Sequence, residues 1–251
     1  MRPRVGNKED RVFKPYPLSE VTIVGQGMTV VSWLQQSFSS PKPRVPGHEV
    51  WVLNGAANVL RHDVLFNMHD LEALAEAEPE KDYLGVYAGH DKPVVTIRAL
   101  EGVDSLWEYP FAEVIEAFGE TYFANGIPYL IAFALLCGVK VINIFGCDYD
   151  YEGVSEYEKG RCNLEYWLGF ARAKGVMINI PAQSSLCDMK WRMTGKGRIG
   201  YGGVYGFFER QPVIQPNAEG KPEVLGFSTP PAKFDDVEAA VNTDPKERAI
   251  Q

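Results

Sequence analysis

Apolar and polar positions change period several times along the chain, and each change marks an element. Residues 21–24 (VTIV) are a short β-branched run, followed at once by Gly25, Gln26 and Gly27. From Met28 the apolar positions recur at helical spacing through Val30, Val31 and Leu34 until the serines of 37–40. Strand, glycine turn and helix in quick succession open a βαβ unit. A loop at 41–47 leads to a second strand, 49–53, closed by Asn54 and Gly55, and 63–66 reads as a third. Asp70 stands where an N-cap belongs, before the Ala/Leu/Glu-rich helix 71–77. The runs 83–87 and 94–98 are strand candidates flanking a turn at 89–93, and 110–118 has helical periodicity with Gly119 behind it.

The strongest pattern follows. Asn125 caps a helix whose Pro128 lies in the first turn, where a missing N–H is harmless. Residues 129–137 are apolar on every side, so this helix is expected to be buried. Gly138 ends it, and 139–145 is a strand interrupted only by Lys140 and Asn143, as in a parallel sheet covered on both faces. Gly146 to Tyr151 form the loop beyond it, and a helix at 164–173 and a strand at 176–180 complete the alternation. The fold class is therefore α/β, a Rossmann-like, doubly wound and mostly parallel sheet over 19–190. An irregular arm, 1–18, precedes it; a glycine/aromatic flap, 191–211, and an irregular tail, 212–251, follow.

A chain of 251 residues buries a full core, and its net charge of −8 argues against general nucleic-acid binding while leaving room for a local basic pocket. The four cysteines form no CxxC pair and the four histidines lack metal-ligand spacing, which disfavours a disulfide scaffold and a zinc site. The first residues contain no apolar h-region, and the longest apolar run, 127–137, is short of the ~20 residues that span a bilayer. A cytoplasmic, reduced protein without a membrane span is expected, and a homo-oligomer is compatible with all of this.

In open α/β sheets ligands sit at the carboxyl ends of the strands, near the reversal of strand order. That rule selects Gly25, Gln26 and Gly27; Asn54; Asn67, His69 and Asp70; Arg98; and Gly146 to Asp150, with Asn125 and Gly126 opening on the same side. The first glycine turn is either a phosphate seat or a plain tight turn. Val30 occupies the third glycine position of a dinucleotide fingerprint, and the second strand ends in Asn54 instead of an acid, so NAD-dependent redox chemistry is disfavoured. Asp148 and Asp150 are candidates for Mg²⁺, a hydroxyl proton or a sugar; the plainer reading makes one a cap and the other a solvated charge. His69 is the histidine best placed for proton transfer, with a structural hydrogen bond as its alternative. Lys159, Arg161, Lys190 and Arg192 are candidate phosphate partners or surface charges, and Ser184 and Ser185 have no local base.

The stretches VTIVGQGMTV, VLNGAANV, ANGIPYLIAFALLCGVKVINIFGCDY and VMINIPAQSSL, within 20–187, resemble the bacterial sialyltransferases of glycosyltransferase family 42. They are also similar to the related domain of hydroxymethylpterin diphosphokinases and to phage-encoded proteins of the same build. The sialyltransferase resemblance implies a cytidine nucleotide-sugar ligand, with Gly25 and Gly27 near its phosphate, and Asn54, Asn125 and Gly126 near the donor. It also implies a histidine base between the Gly-x-Asp strand and the next helix, yet 151–163 holds no histidine, and the family's GNGPS-like opening is GQGMT here. The diphosphokinase resemblance implies ATP, Mg²⁺ and a pterin, with Asp70, Asp148 and Asp150 as metal holders. The expected function is a nucleotide-dependent transferase, foremost a glycosyltransferase with Asp148, His69 and Asp150 catalytic and a nucleotide or nucleotide-sugar co-substrate. The alternatives are an inactive nucleotide-binding or interaction protein and a Mg²⁺/ATP-dependent diphosphokinase.

Overall fold

The computed structural model describes residues 11–39, 45–149, 155–181, 183–188, 212–216 and 222–227. Two compact units divide the chain, Met1–Met189 and Lys190–Gln251.

The first unit is built on seven strands: β1 (Glu20–Val24), β2 (His48–Leu53), β3 (Val64–Asn67), β4 (Val94–Thr96), β5 (Leu106–Glu108), β6 (Val141–Phe145) and β7 (Met177–Asn179). Their order is β5-β4-β3-β2-β1-β6-β7, and every pairing is parallel. This is an α/β, Rossmann-like arrangement, with helices on both faces. Successive residues of each strand serve opposite sides. Ile23, Trp51, Phe66, Ile142 and Ile144 join one buried cluster, while Val24, Val52, Leu65 and Phe145 join the other.

Helices α1 (Val30–Ser39), α2 (Leu71–Ala77) and α3 (Tyr83–Ala88) pack on the second face. Helices α4 (Phe111–Phe118), α5 (Gly126–Leu136) and α6 (Ser155–Ala173) pack on the first. Local chemistry explains the helix ends. The Asp70 carboxylate accepts the Ala73 N–H, Asn125 accepts the Ile127 N–H, and Gly119 closes α4 at φ 68°. Buried residues ring α5, which fits its uniform apolarity.

Two local expectations are corrected. Residues 83–87 are not a strand but α3, because Asp82 caps that turn through the Gly85 N–H and β3 already has β4 as its outer neighbour. A short apolar run carries too little periodicity to separate the two states. The strand β5 was not expected; its three residues complete the far edge of the sheet. Over 11–18 the arm forms no helix or strand of its own, and it is tied down by a few contacts. Phe13 is buried, Val12 bridges Glu108 on the β5 edge, and the Arg11 guanidinium donates to Leu100 O and Val103 O. Covering an edge strand keeps its unpaired backbone groups from pairing with a strand of another chain.

In the second unit, β8 (Pro212–Pro216) and β9 (Pro222–Phe227) form an antiparallel pair. The irregular character expected of 212–251 does not hold for these two segments. The expected flap, 191–211, lies outside the described residues. Among the described residues, no helix is long and apolar enough to cross a membrane.

Candidate functional site

Strand order reverses between β1 and β6. The chain leaves β1 toward β2, β3, β4 and β5, then returns to lay β6 on the other side of β1. The loops that leave these two strands lead to helices α1 and α6 on opposite faces of the sheet, and it is at such a reversal that open α/β sheets take ligands.

The two loops are interlocked. Gly25 N–H donates to Phe145 O at 2.8 Å, and Gly27 N–H donates to Gly146 O at 2.7 Å. A Cβ on Gly25 would stand 2.3 Å from Gly146 O, and one on Gly146, whose φ is 64°, would stand 2.5 Å from Gly25 O. Only glycine allows this crossing. A Cβ on Gly27 would meet the Asp148 carboxylate at 2.8 Å. The glycines of the first turn thus have a packing duty that holds with or without a ligand.

Asp148 is buried and clamps the start of α1. Its Oδ2 accepts the Thr29 backbone N–H at 2.7 Å, and its Oδ1 accepts the Thr29 hydroxyl at 2.7 Å. The Thr29 Oγ1 in turn accepts the Gly146 N–H at 2.8 Å. A carboxylate at a helix N-terminus is favourable for the same reason a phosphate is. Here the anion at α1 is the chain's own. Ser185 closes the back of the loop by donating its hydroxyl to Asp148 O, and Arg161 donates to Ser185 O at 2.6 Å. Neighbouring Cys147 is fully enclosed, and burial, with the Asp148 charge second, pushes its thiol well above the ordinary range.

Asn125 is likewise engaged on every side. Its Oδ1 accepts from Ile127 N–H at 3.1 Å and from the Tyr149 hydroxyl at 2.6 Å, while its Nδ2 donates to Gly160 O at 2.9 Å. Tyr149 reaches it from a left-handed backbone, φ 49°. The buried Asn163 of α6 holds the preceding loop, accepting Ala124 N–H and donating to Tyr122 O. Gly126 begins α5 against Leu53, whose Cδ2 would lie 3.1 Å from an added Cβ.

Two amides at this edge are different. Asn54 follows β2 in a left-handed conformation, φ 49°, and Asn67 ends the neighbouring strand β3. Leu53 and Phe66 are register partners, which puts the two asparagines side by side at the carboxyl edge. The Oδ1 atoms of both are buried and find no hydrogen-bond partner among the described residues. Asn67 donates through Nδ2 to the Tyr87 hydroxyl, so its amide orientation leaves the oxygen unspent. A buried acceptor without a donor costs about 1–3 kcal/mol. Gln26 is exposed, with its Nε2 only 2.8 Å from where a Gly55 Cβ would be.

His69 is exposed at the end of β3. Strand β2 separates β3 from β1, roughly 10 Å at ordinary strand spacing. His69 and Asp148 thus share an edge without sharing a contact. Asp70 caps α2 and receives the Arg98 guanidinium at 3.0 Å; the Ala73 N–H, with Arg98, holds its carboxyl below the usual range. Asp150, Lys190 and Arg192 lie outside the described residues, and Lys159 is exposed. Among the described residues, no three His, Cys, Asp or Glu side chains converge to hold a metal ion. Thr29 and Asn163 were missed. A threonine before a helical run is a recognised cap signal, but nothing local names its partner 119 positions away.

Solved structures that resemble the chain include two of one enzyme. One is the sialyltransferase CstII from Campylobacter jejuni in complex with a substrate analogue, CMP-3FNeuAc, at 13% identity over 68% of this chain and 84% of that one, TM-score 0.41. The other is the same enzyme in complex with cytidine-5'-monophosphate, at 13% identity over 69% and 84%, TM-score 0.44. No family model and no curated protein matches the chain.

Proposed function

We propose that the chain is a nucleotide-dependent transferase, and within that class a glycosyltransferase that uses a nucleotide-sugar donor. The observation that carries this reading is the pair of buried, unspent amide oxygens, Asn54 Oδ1 and Asn67 Oδ1, side by side at the carboxyl edge, where the side chains of Asp148, Thr29 and Asn125 are already engaged. Two adjacent acceptors call for a ligand rich in O–H and N–H donors, and a nucleotide sugar is such a ligand. Its phosphates belong at the start of α5, whose first turn at Gly126 carries the positive end of an eleven-residue helix. The start of α1 is already taken by Asp148.

In this reading Asp148, Gly25 and Gly27 hold the two loops in register and do not touch the donor. Gln26 lies exposed at the mouth. His69 is the base: exposed, on the same edge and free to meet an acceptor hydroxyl. Removal of that proton lets the hydroxyl oxygen attack the sugar carbon as the nucleotide phosphate leaves.

Thermal shift against CMP, a CMP-sugar, UDP- and GDP-sugars, ATP with Mg²⁺ and NAD tests the binding half. The cytidine ligands are expected to stabilise the chain, since a ligand at 100 times its Kd adds about 2.7 kcal/mol. Asn54→Ala with Asn67→Ala should abolish the shift. No stabilisation by any member would sink the proposal. A second reading, a binding protein without turnover, is favoured by the absence of histidine from 151–163. Donor turnover that His69→Ala abolishes, with binding intact, decides against it.

A further inference from the structure

Two tyrosine–asparagine pairs stand among the residues described above, and they are joined in opposite senses. The Tyr149 hydroxyl donates to Asn125 Oδ1, so that amide oxygen is spent. Asn67 Nδ2 instead donates to the Tyr87 hydroxyl, and the buried Asn67 Oδ1 is left without a partner among the described residues. An asparagine amide exchanges its oxygen and nitrogen by a half-turn of the side chain. The neighbour it meets on one side therefore decides which atom it offers on the other.

Tyr87 is itself firmly placed. It lies in the last turn of α3, and with Leu84 three residues earlier it packs on the second buried cluster. Its backbone carbonyl accepts the Ser105 hydroxyl and the His90 N–H, the latter at 3.0 Å. Those bonds tie the end of α3 to the residue before β5 and to the turn before β4. Burial pushes the Tyr87 hydroxyl above its ordinary value of 10, with the Asn67 N–H opposing, so the phenol is neutral throughout the physiological range. A pair with only a packing duty gives no reason for an acceptor to be buried without a donor, since buried polar groups are ordinarily paired.

We propose that Tyr87 is a positioning residue that holds the Asn67 amide by its nitrogen and so keeps Asn67 Oδ1, beside Asn54 Oδ1, as an acceptor for the ligand, a role that rests on the reading of these two asparagines as the ligand's acceptors. Tyr87 does not touch the ligand. It denies the amide its other orientation, in which an N–H would be offered where the ligand brings an O–H or N–H of its own. Orienting a group in advance lowers the ordering cost of binding without adding a contact.

Tyr87→Phe keeps the ring and removes only the hydroxyl. In heteronuclear NMR of the full chain, the Asn67 side-chain amide is assigned by its loss in Asn67→Ala. One of its N–H protons should exchange slowly in the wild type and rapidly in Tyr87→Phe. In calorimetric titrations with CMP and a CMP-sugar, Tyr87→Phe should bind about tenfold more weakly, which is about 1.4 kcal/mol, with circular dichroism unchanged. That loss should vanish in an Asn67→Ala background, because the hydroxyl acts only through the amide. Val86→Ala, at an exposed position of the same helix, should bind as the wild type does. An Asn67 amide whose exchange ignores Tyr87→Phe overturns the inference and leaves the nucleotide reading standing. Unchanged affinity in Tyr87→Phe, or a loss that persists in full without Asn67, does the same. A wild-type chain that binds neither CMP nor the CMP-sugar overturns the nucleotide reading, and the inference with it.

Discussion

If Asp148 is a clamp, removing its carboxylate should damage the fold before it damages any chemistry. Asp148→Ala deletes two charge-assisted hydrogen bonds and leaves the Thr29 N–H and hydroxyl facing a buried void. Hydrogen bonds to charged groups contribute about 1.5–3 kcal/mol each, so the loss should be roughly 3–6 kcal/mol. That is a large part of the 5–15 kcal/mol typical of a folded domain. Asp148→Asn keeps one acceptor and turns its NH2 toward the Thr29 oxygen, so its loss should be smaller, about 1–3 kcal/mol. Thr29→Val removes the other partner and strands the Gly146 N–H. Urea unfolding followed by tryptophan fluorescence gives each value, and a double-mutant cycle isolates the Asp148–Thr29 coupling. We expect coupling of at least about 1 kcal/mol. An Asp148→Ala variant within about 1 kcal/mol of wild type, or additive single effects, would refute the clamp. Donor turnover lost in Asp148→Asn with stability unchanged would return the residue to catalysis.

Gly25→Ala and Gly146→Ala should each cost more than about 3 kcal/mol or prevent folding, because a Cβ would press on backbone at 2.3 and 2.5 Å; Gly89→Ala, with no atom within 4 Å, serves as the neutral control in thermal melts. Burial, together with the facing His90 ring 5.2 Å away, holds His62 below its ordinary value of 6.5. As pH falls past 6.5 the unfolded chain takes its proton first and the native ring resists, so this contribution is complete above that value and is lost below it. His62→Phe should flatten the stability profile below pH 6.5; an unchanged slope would remove His62 from the account. Burial pushes the Cys137 thiol up to about 12, and Cys147 is raised too, so neither should react with Ellman's reagent at pH 8 in the native protein, while exposed Cys162 should. Rapid native labelling at Cys137 or Cys147 would contradict the packing.

Much of the fold is legible along the chain because its causes are local. Asp70 and Asn125 lie within three residues of the N–H groups they accept, and the all-round apolarity of α5 announces a buried helix without reference to a partner. The near-continuous apolar character of β6, broken only by Asn143, signals a covered parallel strand in the same way. The run at 83–87 defeats this kind of reading, because its sequence suits two states and Asp82 with the neighbouring strands selects the helix.

Only the tertiary structure decided that β6 lies beside β1. That adjacency follows from packing strands far apart in the chain into one sheet, a condition no local window contains. It brings Asp148 onto Thr29, gives Gly25 and Gly146 their shared reason to be glycine, and leaves His69 two strands away. The β2–β3 pairing, separately, sets Asn54 against Asn67 with their oxygens unspent. The chain's chemistry-bearing residues were readable in order; which of them are spent on the fold, and which remain for a ligand or a partner, depends on neighbours more than a hundred residues apart.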